Sequence, residues 1–141
     1  MKAAPGPGKG LVPSLREYLK WYEDNYGITV HMKISGEMPP QLTSTDELQL
    51  VRIIQEALTN IRKHARASLV QVAFLSSGDR DLVEITDDGC GFDTCAVYEN
   101  HYGLNIMRER AEAFGGRVVI KSAPGGGTRV TIWLPPGQRS A

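Results

Sequence analysis

Residues 45–65, TDELQLVRIIQEALTNIRKHA, carry the strongest structural signal in the chain. Apolar residues recur there at steps of three and four, which places them on one face of an α-helix; they are Val51, Ile54, Leu58, Ile61 and Ala65. Thr45 or Asp46 can cap the N-terminus of this helix with its side-chain oxygen. The stretch therefore predicts one long amphipathic helix whose apolar stripe packs against a core.

Three polar residues of this helix lie on the side opposite the apolar stripe. At about 100° per residue, Glu56, Asn60 and Lys63 fall within a sector of about 60°. One interpretation is a solvated surface, which is common for polar residues at this spacing. The other is a cation and phosphate site: Asn60 offers an oxygen to Mg²⁺, Lys63 offsets phosphate charge, and Glu56 acts as a base or orients water.

The flanking sequence predicts two more helices and five strands around this helix. Alternating β-branched residues, Gly and Pro punctuation and helical spacing define them: helices Val12–Tyr26 and Leu104–Phe114, and strands Ile28–Ile34, Leu69–Leu75, Leu82–Thr86, Arg117–Ser122 and Thr128–Leu134. The order α β α β β α β β predicts an α/β sandwich (α+β) with helices on one face of a mixed, mainly antiparallel sheet. Residues 1–10 are predicted to be a disordered lead, and residues 11–141 one domain.

Composition narrows the class of protein. The chain has 141 residues, 41% of them hydrophobic, and its 16 basic and 16 acidic residues cancel. One domain is expected. Zero net charge argues against a nucleic-acid partner held mainly by non-specific attraction to its phosphates, although a local basic patch stays open as an alternative. No apolar run is long enough to span a membrane, and Met1–Gly10 lacks the apolar core of a secretory signal. With two cysteines, Cys90 and Cys95, reduced thiols in the cytoplasm are expected.

Three glycine-containing segments leave two interpretations each. Asp87–Asp93 contains Asp-x-Gly-x-Gly, which forms either a tight turn or a close approach to a flat ligand, with an Asp accepting from an amine such as adenine N6. Gly103 marks either a flexible helix start or an anion site. Residues 125–128 form either a hairpin turn or a turn whose Thr128 hydroxyl contacts the ligand. Cys90 is predicted to be a buried small residue rather than a thiol whose alkylation would block the ligand site.

The order of these segments carries a family resemblance. The pattern resembles the N, G1 and G2 boxes and the Gly-Gly-Thr strand start of Bergerat-fold ATPases, and most closely the ATP-binding domain of sensor histidine kinases. Within that group the chain looks most like the nitrate/nitrite sensor subfamily. The likeness spans about Leu11 to Pro135 and rests on four motifs: Glu56-x3-Asn60-x2-Lys63-His64, Asp87-x-Gly89-x-Gly91-Phe92, His101-Tyr102-Gly103-Leu104 and Gly126-Gly127-Thr128.

The resemblance implies a set of phosphate-side roles. Asn60 would hold Mg²⁺ between the phosphates, and Lys63 would offset their charge. Glu56 would act as the base or polarising acid on the incoming imidazole. Gly103 and Leu104 would present backbone N–H groups to the phosphates. Phosphoryl transfer needs this kind of positioning and charge neutralisation more than covalent work by the protein.

The resemblance also implies an adenine side. Asp87 would bond the adenine amine, with Thr128 supporting the same edge through water. Gly89 and Gly91 would let the backbone approach the nucleotide. The short lid, about nine residues from Thr94 to Tyr102, implies an open site with micromolar or poorer affinity for ATP. Two residues would line the site without a defined role: His64 and Tyr102.

In this family the phosphoacceptor His lies on a separate upstream dimerisation domain, and the contexts of His31, His64 and His101 do not resemble it. The chain is therefore expected to bind ATP or ADP with Mg²⁺ but not to autophosphorylate alone. Its implied partners are the dimerisation domain and, through the full-length kinase, a response regulator. It is expected to be monomeric, without membrane contact of its own, on the cytoplasmic side of a membrane-anchored kinase.

Two alternatives of other classes stay open. One is an anti-sigma-factor-type serine kinase or another Bergerat-fold ATPase, which would share the fold but not the acceptor. The other is a binding module without activity, in which the motifs are relics. Nucleotide binding separates the relic from the rest, and phosphotransfer to a supplied His separates the two kinds of kinase.

Overall fold

The computed structural model describes residues 10–35, 42–77, 80–90, 102–122 and 125–135. Within them the predicted order of helices and strands is confirmed. The helices are α1 (Leu11–Tyr26), α2 (Ser44–Asn60) and α3 (Tyr102–Ala113), and a π-helical segment, Ile61–Ala65, continues α2. The strands are β1 (Thr29–Ile34), β2 (Leu69–Ser77), β3 (Arg80–Asp87), β4 (Arg117–Ser122) and β5 (Thr128–Trp133).

The strands form one mixed sheet in the order β1-β2-β3-β5-β4. β1 and β2 are parallel, and the other neighbours are antiparallel. Two parallel strands cannot be joined by a hairpin, so α2 and its π-helical continuation form the crossover between them. The mainly antiparallel sheet and the α+β sandwich are confirmed.

The core lies between the sheet and the helices. Alternate residues of the central strands are fully buried, as a sheet with one covered face requires; they include Val70, Val72, Phe74, Val83 and Ile85. The stripe predicted for α1 is buried as well, with Leu15, Leu19 and Tyr22 at most 5% exposed. Among the described residues, no helix is both long and apolar enough to cross a membrane.

Helix α2 begins differently from the prediction. Thr43, not Thr45 or Asp46, is the N-cap, because its extended backbone lets its hydroxyl accept from the Asp46 N–H at 3.1 Å. Thr45 and Asp46 lie in the first turn instead. There the acidic side chain of Asp46 interacts favourably with the positive end of the helix dipole.

Helix α2 also ends differently. The prediction was one regular helix to residue 65, but the last turn, Ile61–Ala65, is π-helical, and Arg66 follows with a φ of 52°. Of the predicted apolar stripe, only Val51 is not fully buried. Segments of π-helix occur often at functional sites, and this one holds the second half of the Asn60–His64 motif.

Two other boundaries differ from the prediction. β3 continues through Asp87, which was expected in the loop, because Asp87 pairs with Val70 on one side and Thr128 on the other. α3 begins at Tyr102, so Gly103 lies inside its first turn rather than before it. The buried face of α3 is confirmed for Met107, and for Ala111 and Phe114 at its C-terminal end. The Leu104 side chain lies outside the described residues.

Candidate functional site

Three distant segments are joined by backbone hydrogen bonds at one end of the sheet. The Cys90 N–H, just after β3, donates to the carbonyl of Ala65 at 2.7 Å. The Cys90 carbonyl accepts from the Gly125 N–H. The end of the π-helical segment, the loop after β3 and the β4–β5 connection therefore meet, and the motifs of all three lie together.

Glycine is required at two positions of this junction. A Cβ on Gly89 would collide with the carbonyl of Ala65, and a Cβ on Gly127 would collide with the carbonyl of Asp87. Gly127 also has a φ of 74°, a conformation that other residues rarely adopt. The glycines thus permit close packing of backbone against backbone, which the turn interpretation did not predict.

Asp87 is the polar side chain that the junction encloses. Its Oδ1 accepts from the Gly89 N–H at 2.7 Å, whereas Oδ2 is buried and has no hydrogen-bond partner in the described part of the chain. Burial raises the pKa of the Asp87 carboxyl above its ordinary value, and the hydrogen bond from the Gly89 N–H opposes that rise. A buried acceptor without a partner is suited to a ligand that brings a donor.

Thr128 lies opposite Asp87 in the β3–β5 register and is 5% exposed. Its Oγ1 lies 2.9 Å from Oγ of Ser122, which also donates to the Gly127 carbonyl at 3.2 Å. Sequence reasoning missed Ser122; its position as the last residue of β4, directly across from Thr128, was the available signal. A cavity of about 370 Å³ opens beside these residues and is lined by Asp87, Lys121, Ser122, Gly127, Thr128 and Arg129.

Asp88 behaves differently from its neighbour. Its Oδ1 accepts from the N–H groups of Ser68 and Leu69, both at 2.9 Å, and its Oδ2 accepts from the Ser68 hydroxyl at 2.8 Å. These hydrogen bonds, that from Leu69 foremost, hold the pKa of the Asp88 carboxyl below its ordinary value. Asp88 is exposed, and it fastens the start of β2, a structural role.

Asn60 is not on a solvated face, so that part of the helical-wheel prediction is wrong. It is 7% exposed, and its Nδ2 is buried without a hydrogen-bond partner among the described residues. The wheel treated α2 as covered on one side only. In the structure α2 also packs against α3, and the helix changes to π geometry directly after Asn60.

The other predicted residues of α2 have different surroundings. Lys63 is exposed, and His64 is half-buried. Glu56 is half-buried in a groove of about 360 Å³ between α1, α2 and α3, together with Trp21, Arg52, Thr59, Ile106 and Arg110. Glu56 and Asn60 therefore do not share one solvated face, and Glu56 is reached from the groove between the helices.

Cys90 is exposed, which contradicts the prediction of a buried small residue. Its backbone is held on both sides by Ala65 and Gly125, and its Sγ lies 4.0 Å from the His64 carbonyl. Of the residues implied at the phosphates, Gly103 and Leu104 lie in the first turn of α3, where N–H groups have no partners within a helix. Several predicted residues lie outside the described ones: Gly91, Phe92, Cys95, His101 and the side chain of Tyr102.

This arrangement defines an ATP-binding fold of known type. Residues 45–138 match the family model for the histidine kinase-, DNA gyrase B- and HSP90-like ATPases. The chain belongs to that family, as an ATP-binding catalytic domain of the histidine-kinase kind.

Three proteins show which members of this family the chain is similar to. The chain is 40% identical over 128 residues to the signal transduction histidine-protein kinase/phosphatase DegS of Brevibacillus brevis, covering 89% of this chain and 32% of that protein. It is 45% identical over 124 residues to the nitrate/nitrite sensor protein NarQ of Escherichia coli (strain K12), covering 86% and 22%. A blue-light activated histidine kinase of Erythrobacter litoralis EL346 superposes with a TM-score of 0.74 at 25% identity, covering 91% of this chain and 42% of that one.

The chain spans about a third or less of the length of these curated relatives. DegS and the Erythrobacter litoralis protein are histidine kinases by name, so the comparisons support that interpretation and give no support to the anti-sigma-factor alternative.

Proposed function

We propose that this domain binds Mg·ATP and, within a longer sensor kinase, donates the γ-phosphoryl group to a His on a separate dimerisation domain. One observation supports this most: Oδ2 of Asp87 and Nδ2 of Asn60 are buried without a hydrogen-bond partner in the described part of the chain, and both residues belong to segments that lead into the same junction. Buried polar atoms are almost always satisfied in native proteins, and exceptions call for an explanation. A bound nucleotide and its metal supply one.

Asp87 and Thr128 form the adenine end of the proposed site. The free Oδ2 of Asp87 is suited to accept from the exocyclic amine of adenine, and the Thr128 hydroxyl lies on the same side of the sheet. Gly89, and Gly91 beyond the described residues, complete the loop that adenine would approach. Ser122 positions Thr128 by its contact at 2.9 Å.

Asn60 and Lys63 form the phosphate end of the proposed site. Mg²⁺ binds few protein oxygens and takes its other ligands from phosphates and water, so the single amide oxygen of Asn60 fits it. The amide nitrogen and oxygen of an Asn exchange places by rotation about its last bond, so the unpartnered position can present either atom. Lys63 is exposed and free to reach phosphate oxygens, and the backbone of Gly103 and Leu104 adds helix N-terminal donors.

Glu56 is proposed to receive or polarise the N–H proton of the incoming imidazole while the other ring nitrogen attacks the γ-phosphorus and ADP leaves. Its place in the groove between the helices gives a separate protein surface a route to it. His64 and Tyr102 are proposed to line the site. The acceptor domain comes from the same kinase, and a response regulator receives the phosphoryl group in turn.

The remaining proposals concern the whole protein. Residues 11–141 form one catalytic domain, and α1 belongs to it because the Tyr22 hydroxyl donates to the Leu58 carbonyl of α2 at 2.8 Å. We propose that the isolated domain is monomeric and does not contact nucleic acid. Within the full-length protein, the domain acts on the cytoplasmic side of a membrane-anchored kinase.

Calorimetric titration with Mg·ATP tests the binding site. We expect micromolar or weaker affinity, a loss of about tenfold or more in Asp87→Asn, and loss of the Mg²⁺ dependence in Asn60→Ala. The matched control is Asp88→Asn, since this neighbouring carboxylate fastens β2 and does not face the cavity. No binding to the wild type at millimolar ATP, or equal losses in Asp87→Asn and Asp88→Asn, would overturn the proposed site.

Phosphotransfer tests the acceptor. With radiolabelled ATP, the chain alone should gain no acid-labile, alkali-stable phosphate, which is the signature of phosphohistidine. Adding a dimerisation domain from a related kinase should produce that signature on the added protein, and Glu56→Gln should slow its appearance by about 10²-fold, as loss of a general base does. Label on a serine of the added protein instead would favour the serine-kinase alternative.

A further inference from the structure

Helix α1 contacts α2 close to Asn60. The Tyr22 hydroxyl donates to the Leu58 carbonyl at 2.8 Å, and Tyr22 is only 1% exposed. This bond joins residues 36 positions apart in the sequence. It is therefore a tertiary contact at the end of α2, two residues before Asn60.

A second contact lies two residues after Asn60. The Arg62 guanidinium lies over the ring of Tyr26 at 4.5 Å from its centroid, a cation–π geometry. Tyr26 in turn packs edge-on against Tyr22, with 5.2 Å between ring centroids. One aromatic pair of α1 thus holds the chain on both sides of Asn60.

The hydrogen-bond pattern of α2 changes at this place. The Ile61 N–H is shared between the carbonyls of Ala57 and Leu58, and the π-helical segment follows. Each residue of an α-helix turns by about 100°, so a shift between α and π geometry would rotate every side chain that follows. The Leu58 carbonyl therefore lies in the turn that carries Asn60, directly before the change of geometry that sets the direction of Lys63.

We infer that Tyr22 is a positioning residue for the metal–phosphate end of the site: its bond to Leu58, with Tyr26 under Arg62, fixes the backbone of α2 on both sides of Asn60 and so orients its side chain. This inference rests on the proposed function of Asn60 as a ligand of the metal. Tyr22 touches no nucleotide itself. It acts through the backbone of α2 and makes α1 part of the nucleotide site.

A merely structural role would give a different result. A buried tyrosine that only stabilises the fold would, when its hydroxyl is removed, lower the melting temperature and leave the ratio of Mg·ATP affinity to metal-free ATP affinity unchanged. A positioning role changes that ratio. Adenosine affinity should stay constant in either case, because Asp87 and Thr128 lie on the sheet and not on α2.

The experiment compares Tyr22→Phe with Tyr26→Phe in the 141-residue chain, by calorimetry with Mg·ATP, with ATP in EDTA, and with adenosine. Tyr26→Phe is the matched control, because it removes a hydroxyl that makes no hydrogen bond within the described part of the chain and keeps the ring under Arg62. We expect Tyr22→Phe to lower the Mg²⁺-dependent affinity ratio about three- to tenfold, the range for one intramolecular hydrogen bond. Tyr26→Phe should leave the ratio unchanged.

A double variant tests whether the effect of Tyr22 depends on Asn60. If Tyr22 acts through Asn60, Tyr22→Phe should cause no further loss of Mg·ATP affinity in an Asn60→Ala background. An unchanged ratio in Tyr22→Phe, or fully additive losses, overturns the inference while leaving the proposed function in place. Mg²⁺-independent binding by the wild type overturns both. Should Tyr22→Phe fail to fold, Tyr26→Leu, which removes the ring under Arg62, must lower the same ratio or the inference fails.

Discussion

The two parts of the crossover helix serve different ends. In its first part, Leu50, Ile53 and Ile54 are fully buried among apolar neighbours. At its end, Asn60 is nearly as buried, but its amide nitrogen has no hydrogen-bond partner among the residues that the structure describes. Leaving a buried polar group unsatisfied costs about 1–3 kcal/mol. The first part contributes stability, and the last part gives some of it up at the place where a ligand is proposed to bind.

Truncation in the first part should have the largest effect on stability. Ile54→Ala removes a fully buried side chain and should lower the free energy of unfolding by about 2–5 kcal/mol. Urea denaturation measures this, with Leu48→Ala as the control because Leu48 is 37% exposed on the same helix. Asn60→Ala should cost far less, since Nδ2 has no hydrogen bond to lose within the described ranges of the chain. A loss for Asn60→Ala equal to that of Ile54→Ala would make Asn60 a structural residue and erase the contrast.

The contrast between the apolar first part of α2 and its polar end also explains what could be predicted from the sequence. Apolar periodicity located all eight predicted elements, because burial of Ile54 or Phe74 is a property of local pattern and of a sheet with one covered face. Positions set by tertiary contacts were not predictable. The exposure of Cys90 depends on the hydrogen bonds of its backbone to Ala65 and Gly125, which are distant in sequence.

The site shows the same limit. Its residue types were predictable from motif order, since Asp, Asn and Gly recur there in a fixed sequence. The π-helical turn was not, because its apolar pair, Ile61 and Ala65, lies four residues apart and shares a face in either α or π geometry. Asn60 is buried at the end of a helix that packs against α3, and Ser122 contacts Thr128 because the strand register places them opposite each other. Apolar periodicity predicts neither helix packing nor strand register.

Asp87 and Asp88 repeat the contrast on a smaller scale, and pH tests it. The Asp87 pKa is raised in the fold, mainly by burial, so ionisation of Asp87 destabilises the protein above that pKa, and the cost disappears as the pH falls through it. The Asp88 pKa is lowered by hydrogen bonds, so Asp88 contributes stability above its unfolded pKa, and that contribution is lost as the pH falls through the folded one.

The melting temperatures of Asp87→Asn and Asp88→Asn, measured from pH 7 to pH 3, should therefore differ from that of the wild type in opposite directions. At pH 7 we expect Asp87→Asn to melt above the wild type although it binds ATP poorly, and Asp88→Asn to melt below it by a small amount, since that carboxylate is exposed. Both differences should shrink towards pH 3 as the wild-type carboxyls become protonated. If both variants melt below the wild type at pH 7, Asp87 stabilises the fold as Asp88 does. Asn60 would then be the one residue of the two proposed ligand contacts that lowers stability at the binding site.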